Sequence, residues 1–302
     1  MNIAVKAANQ ALNVVVLIAV MAMLALGGYV MWDSSQVFAQ ASETNYAPYK
    51  PSGTADLSFQ DLQNMNPEVI GWLNVYGTHI DYPITQGKDD MKYINTDAMG
   101  DYSLSGAIFL DASNNPGFTD ISSIVYGHHM DADTMFGELT DFADAGYFAS
   151  HQYGSLYADG QTLGLQFFAF VHADAYDETV YNTKVGSESE VEYVNGLKAL
   201  ATQVRSDVSI KPGDRLILLS TCSSSTTNGR DILVGEISAT AQPDTFAKST
   251  GGNVAALATV DSIVNGRTLP GISAAVLCAV IVGTAIYLVT KRRHAKAEGG
   301  ER

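Results

Sequence analysis

Two uncharged apolar runs, Val14 to Trp32 and Ile272 to Thr290, set the frame within which the rest of this chain must fold. Each approaches the length of about 20 residues that carries a helix across the hydrocarbon core of a bilayer. Lys6 precedes the first run, and Lys291-Arg-Arg-His-Ala-Lys296 follows the second. The positive-inside rule then puts both ends in the cytoplasm and everything between them outside. Ala39-Gln40-Ala41 has the form of a signal-peptidase site. The first run exceeds the roughly 7–15-residue core of a secretory signal, which favours an uncleaved anchor over residues 1–32.

The part between the runs is strongly acidic. From Asp33 to Thr268 there are eleven Lys/Arg against thirty Asp/Glu, a net charge of -19. Nucleic-acid binding needs positive charge to displace counterions from phosphates, so that function is excluded, and the acids are read as a solvated surface. Of the two cysteines, Cys278 lies inside the second apolar run, where it is a small apolar residue. Cys222 is left without a disulfide partner in the outer part, where structural cysteines usually come in pairs. No Cys-x-x-Cys or His-x-x-x-His spacing accompanies it. Adjacent histidines such as His128-His129 do not easily share one tetrahedral site, so no metal and no cofactor is expected.

Leu216-Ile-Leu-Leu-Ser-Thr-Cys222 is an apolar, β-prone run opened by Pro212-Gly213. A loop of small polar residues follows, and Arg230-Asp-Ile-Leu-Val-Gly-Glu-Ile237 begins a second strand. Paired as an antiparallel hairpin, the two return the Arg230 guanidinium to the sulfur of Cys222. A fixed cation beside a thiol stabilises the thiolate, the nucleophilic form.

Before that hairpin, residues 33–56 are polar with Pro, Gly and Ser and read as a linker. Ser58-Phe-Gln-Asp61 caps a helix, and Asn66-Pro67 starts another helical turn reaching Leu73. Strands are expected at Ile80 to Thr85, Ala107 to Leu110 and Ile121 to Tyr126, and a long one at Leu163 to Ala173 after an Asp159-Gly160 hairpin turn. Ser187 to Arg205 carries apolar residues at helical spacing, with acids in its first turn. Residues 242–270 form a second linker. Short strands around one inserted helix favour a barrel or sandwich over residues 57–241.

A cysteine nucleophile also needs a proton carrier and a stabiliser for the developing oxyanion. Tyr126-Gly-His128-His129-Met130, where a strand ends, supplies the best histidines, and spacing alone privileges neither. Asp131 and Asp133 are available to orient one of them.

On Leu219-Ser-Thr-Cys222, Arg230 and Tyr126-Gly-His128, the chain resembles the sortases, membrane-bound cysteine transpeptidases of Gram-positive bacteria, and more narrowly class B. Asn66-Pro-Glu-Val-Ile-Gly-Trp-Leu-Asn74, His79-Ile-Asp-Tyr-Pro-Ile84, Ser105-Gly-Ala-Ile-Phe-Leu-Asp111 and Thr134-Met-Phe-Gly-Glu-Leu139 carry the match, which spans residues 57–240. The resemblance implies a mainly β fold: an eight-stranded sortase-type β-barrel with N-terminal helices and one inserted helix, here flanked by two transmembrane helices. It implies Cys222 as nucleophile, His128 as general acid/base and Arg230 holding the substrate backbone and oxyanion. Ser220, two residues before Cys222 on the same strand face, and Thr221 are read as substrate contacts, with a structural strand serine the alternative for Ser220. The resemblance also implies a catalytic domain on the outer face of the membrane. Its partners would be secreted proteins with a C-terminal sorting motif and an amine acceptor on peptidoglycan or its precursor.

One feature departs from class B. After residue 241 the chain runs on into the second span (271–290) and a basic tail (291–302), as is more typical of class C, the pilin polymerases. Residues 33–57 nevertheless lack the Asp-Pro-aromatic lid of that class. A pilin lysine is therefore the alternative acceptor, and a non-enzymatic tethered surface protein is a third reading.

Overall fold

The computed structural model describes residues 3–51, 57–131, 133–222 and 228–247. The expected C-terminal span with Cys278, the basic tail and most of the second linker lie outside the described residues. Helix α1 (Ile3–Ala41) is 39 residues long, and its stretch from Ala8 is long and apolar enough to cross a membrane. Residues through Gln36 belong to one compact unit and those from Val37 to a second.

The second unit begins with a segment that the composition had concealed. Residues expected in the first linker are helical to Ala41, then wind through two short 3-10 turns, Glu43–Asn45 and Ala47–Tyr49. Ala41 and Tyr46 are buried, the Tyr82 hydroxyl donates to the Ala41 carbonyl at 2.9 Å, and Lys50 pairs with Asp81 at 2.5 Å. Two apolar anchors among polar neighbours dock this stretch. The part-exposed ion pair adds only about 0–1 kcal/mol.

Helix α2 (Phe59–Met65) starts at the expected cap: Asp61 donates its backbone N–H to the Ser58 hydroxyl, and its carboxylate accepts from the Ser58 N–H. The helical turn expected after Pro67 is instead strand β1 (Val69–Val75). It lies between two neighbours, β2 (Asp81–Thr85) and β5 (Tyr153–Ala158), whose hydrogen bonds override the local turn signal. Strands β3 (Ile108–Leu110) and β4 (Ser122–Tyr126) fall within the expected runs.

Six-residue helix α3 (Ala145–Ser150) leads into β5, and Asp159-Gly160 turns it into β6 (Gln161–Asp174). Both turn residues have positive φ, 49° and 75°, as a type I′ hairpin demands. Helix α4 (Glu190–Leu200) ends before Arg205, because Ala201–Val204 is drawn into the sheet as β7 along β6. Strands β8 (Arg215–Cys222) and β9 (Gly229–Ser238) complete the set.

The strand order is β5-β1-β2-β3-β4-β8-β9-β6-β7, and β6 also pairs with β5. Eight strands therefore close into a barrel, with β7 attached as an extra strand on β6. Strand β8 has two apolar faces. Ile217 and Leu219 join the cluster holding Leu73, Val125 and Phe167, while Leu216 and Leu218 join Tyr193 and Leu197 of α4. This double burial explains its unbroken apolar run. Each fully buried Leu or Ile there gains roughly 1.5–3 kcal/mol.

Candidate active site

Backbone pairing puts Cys222 directly opposite Arg230 across β8 and β9. Such partners have their Cβ atoms about 4.5–5.5 Å apart. The other side of β8 is joined by β4 in parallel, with Tyr126 against Ser220, and the Gly127 N–H donates to the Ser220 carbonyl at 3.2 Å. β4 ends at Tyr126, and His128 follows in the loop two residues beyond it, at the same end of the sheet as Cys222. The neighbouring His129 has its Nδ1 3.4 Å from the Thr140 hydroxyl.

The histidine loop is held at several points. His128 lends its carbonyl to the Phe136 N–H at 3.0 Å, and His129 bridges to Met135. The half-buried His128 ring sets Nε2 against the Ile94 carbonyl at 2.9 Å. A carbonyl only accepts, so Nε2 carries a proton and Nδ1 is the ring atom left for proton exchange. Gly127 is required by close approach: a Cβ there would lie 2.6 Å from Ile108 Cδ1 and 2.7 Å from Phe136 Cδ2. Both neighbours are buried. Gly127→Ala is accordingly expected to cost about 1–3 kcal/mol, measured as a lowered urea midpoint, and to slow any reaction that uses His128.

Ser220 and Thr221 part company. The buried Ser220 hydroxyl lies 2.9 Å from that of Tyr181, whose ring stacks on Tyr126 at 6.3 Å, and the Tyr126 hydroxyl donates to Asp111 at 3.0 Å. Burial, and then the Asp111 charge, push the Tyr126 phenol well above its ordinary range, so it stays a donor. Thr221 is turned the other way. It is 2% exposed, and its hydroxyl has no hydrogen-bond partner among the described residues. Arg230 is half-buried and donates from Nη1 to the Gly229 carbonyl at 3.0 Å.

Asp131 and Asp133 are exposed. A buried acid, Asp231, takes a histidine instead, accepting from His172 Nδ1 at 2.8 Å. Tyr181, Asp111, His172 and Asp231 sit far apart in the chain, and no spacing pattern marks them as neighbours.

A strand-terminal cysteine opposed by an arginine is the equipment of a cysteine acyl-transfer enzyme. Comparison with known proteins agrees. The sortase domain matches residues 73–238, over half of the chain, and the chain belongs to the sortase family, whose members are cysteine transpeptidases. Its relatives place it with class B. It is 28% identical to Sortase B of Staphylococcus aureus (strain NCTC 8325 / PS 47) over 59% of this chain and 74% of that one. The crystal structure of sortase B from the type II pilus of Streptococcus pneumoniae is 45% identical, with a TM-score of 0.53, over 61% of this chain and 99% of that one. A Streptococcus pyogenes class B sortase involved in pilus biogenesis is 39% identical with a TM-score of 0.55, over 59% and 97% of the two chains. The expected barrel and family are both borne out, and the non-enzymatic reading is set aside.

Proposed function

We propose that this chain is a membrane-anchored transpeptidase, acting outside the cell, that cuts a sorting motif near the C-terminus of secreted proteins and passes the acyl group to an amine. The observation that supports the reading most is the pairing of Cys222 opposite Arg230 across β8 and β9, with the histidine loop leaving β4 at the same end of the sheet.

The Cys222 thiolate attacks a backbone carbonyl carbon of the motif, and Arg230 holds the oxyanion that forms. His128 gives a proton from Nδ1 to the nitrogen of the breaking amide, which departs as an amine and leaves a thioester on Cys222. An incoming amine then loses its proton to His128 and attacks the thioester, so the new amide forms and the thiolate returns. No ATP is needed, because the thioester keeps the energy of the cleaved amide. Ser220, hydrogen-bonded to Tyr181, and Thr221 precede Cys222 on β8 and are the candidate contacts for the motif. The span in α1 supplies the anchor.

Two acceptors fit this chemistry. One is an amine of peptidoglycan or its precursor; the other is a pilin lysine. The two pilus-associated enzymes are 45% and 39% identical, against 28% for the Staphylococcus aureus Sortase B relative, and this difference favours the pilin. Cell-wall extracts from cells carrying Cys222→Ala test both readings. Loss of a ladder of covalent polymers supports the pilin acceptor, and loss of single wall-linked proteins supports peptidoglycan. Unchanged linkage of every surface protein would end the transpeptidase reading.

A further inference from the structure

The inward face of β9 carries Asp231, Leu233, Gly235 and Ile237 in alternation, three apolar positions and one acid. That acid is 3% exposed, and burying a carboxylate costs free energy unless its oxygens are bonded. Both are. His172 on β6 donates from Nδ1 to Oδ1 at 2.8 Å, and the Thr140 hydroxyl donates to Oδ2 at 3.3 Å. Thr140 Oγ1 in turn lies 3.4 Å from His129 Nδ1. With its proton given to the carboxylate, Thr140 accepts from an Nδ1-protonated His129, so every donor in the chain points toward Asp231. The four groups come from four elements: the histidine loop, the 3-10 turn Gly137–Ala143, β6, and the strand that presents Arg230.

We propose that Asp231 is a positioning residue that, through Thr140 and His129, ties the loop bearing His128 to the strand bearing Arg230. It is the chain neighbour of the arginine, while Thr140 reaches the chain neighbour of the catalytic histidine. The tie runs on the inward side of the sheet, and His128 is held from elsewhere by Ile94. The inference rests on the catalytic reading above, since it assigns what keeps that machinery in register.

The test uses the full chain in membranes and iodoacetamide as probe, with alkylation read by mass spectrometry on the Cys222 peptide so that Cys278 does not interfere. Thr140→Val keeps the shape and removes the hydroxyl. It should slow Cys222 alkylation at neutral pH about tenfold, within the range set by small misplacements of reacting groups, while Thr140→Ser stays within about twofold of wild type. Asp231→Asn, which turns an amide donor toward one of the two groups that donate to the carboxylate, should slow labelling as Thr140→Val does and covers the case in which that variant fails to fold. Labelling of both folded variants at the wild-type rate, or Thr140→Ser as slow as Thr140→Val, overturns the positioning role. Failure of the catalytic reading looks different: His128→Ala and Arg230→Ala would then leave Cys222 alkylation unchanged.

Discussion

His128→Ala is expected to lower acyl transfer by about 100- to 10,000-fold, the range that a positioned general acid/base contributes. His129→Ala should keep at least about a tenth of the activity, as befits a group that positions rather than reacts. The contrast follows from what each ring touches. His129 Nδ1 lies 3.4 Å from the Thr140 hydroxyl, whereas the His128 ring meets the Ile94 carbonyl through Nε2. Initial rates of transfer from a secreted substrate to its amine acceptor measure it, and equal losses in the two variants would contradict the assignment.

Arg230→Lys should be nearly as damaging, with a loss of about 100- to 1,000-fold, the usual cost of removing one oxyanion donor. Charge is retained in this variant, so the loss isolates geometry. A guanidinium presents several N–H groups in a fixed plane, whereas an ammonium is a single mobile point that cannot bond a substrate carbonyl and the oxyanion in the same arrangement. Arg230 also spends one N–H on the Gly229 carbonyl, which fixes its fork relative to β9. The loss should appear in kcat more than in KM, because the oxyanion exists only in the transition state and intermediate. A variant with unchanged kcat would remove Arg230 from that role.

Much of this architecture was legible in the residues themselves. The β8–β9 hairpin declares itself because two apolar runs flank a short polar loop, and the Asp159-Gly160 turn because only residues tolerant of positive φ fit there. β1 was hidden: Asn66-Pro67 signals a turn locally, and the strands that claim Val69–Val75 come from residues 81–85 and 153–158. α4 overran for the same reason in reverse. Ala201 and Val204 keep the helical period, yet β6 supplies hydrogen bonds that the helix does not.

In the site, Cys222 and Arg230 follow from spacing. Preferring His128 to His129 rests on the family resemblance, because spacing alone privileges neither. Asp231, Thr140 and His172 escaped altogether. A lone acid after an arginine looks solvated, and nothing in its flanks reveals that it is buried in the barrel.

The most direct measurement is the search for an acyl group on one sulfur. Full-length protein taken from cells that also make its secreted substrates, quenched in acid and digested, should yield a Cys222 peptide carrying an acyl adduct that hydroxylamine removes. Cys222→Ala should carry none and should leave the uncut precursors to accumulate. An adduct on a different residue, or precursor processing undiminished in Cys222→Ala, would contradict the account.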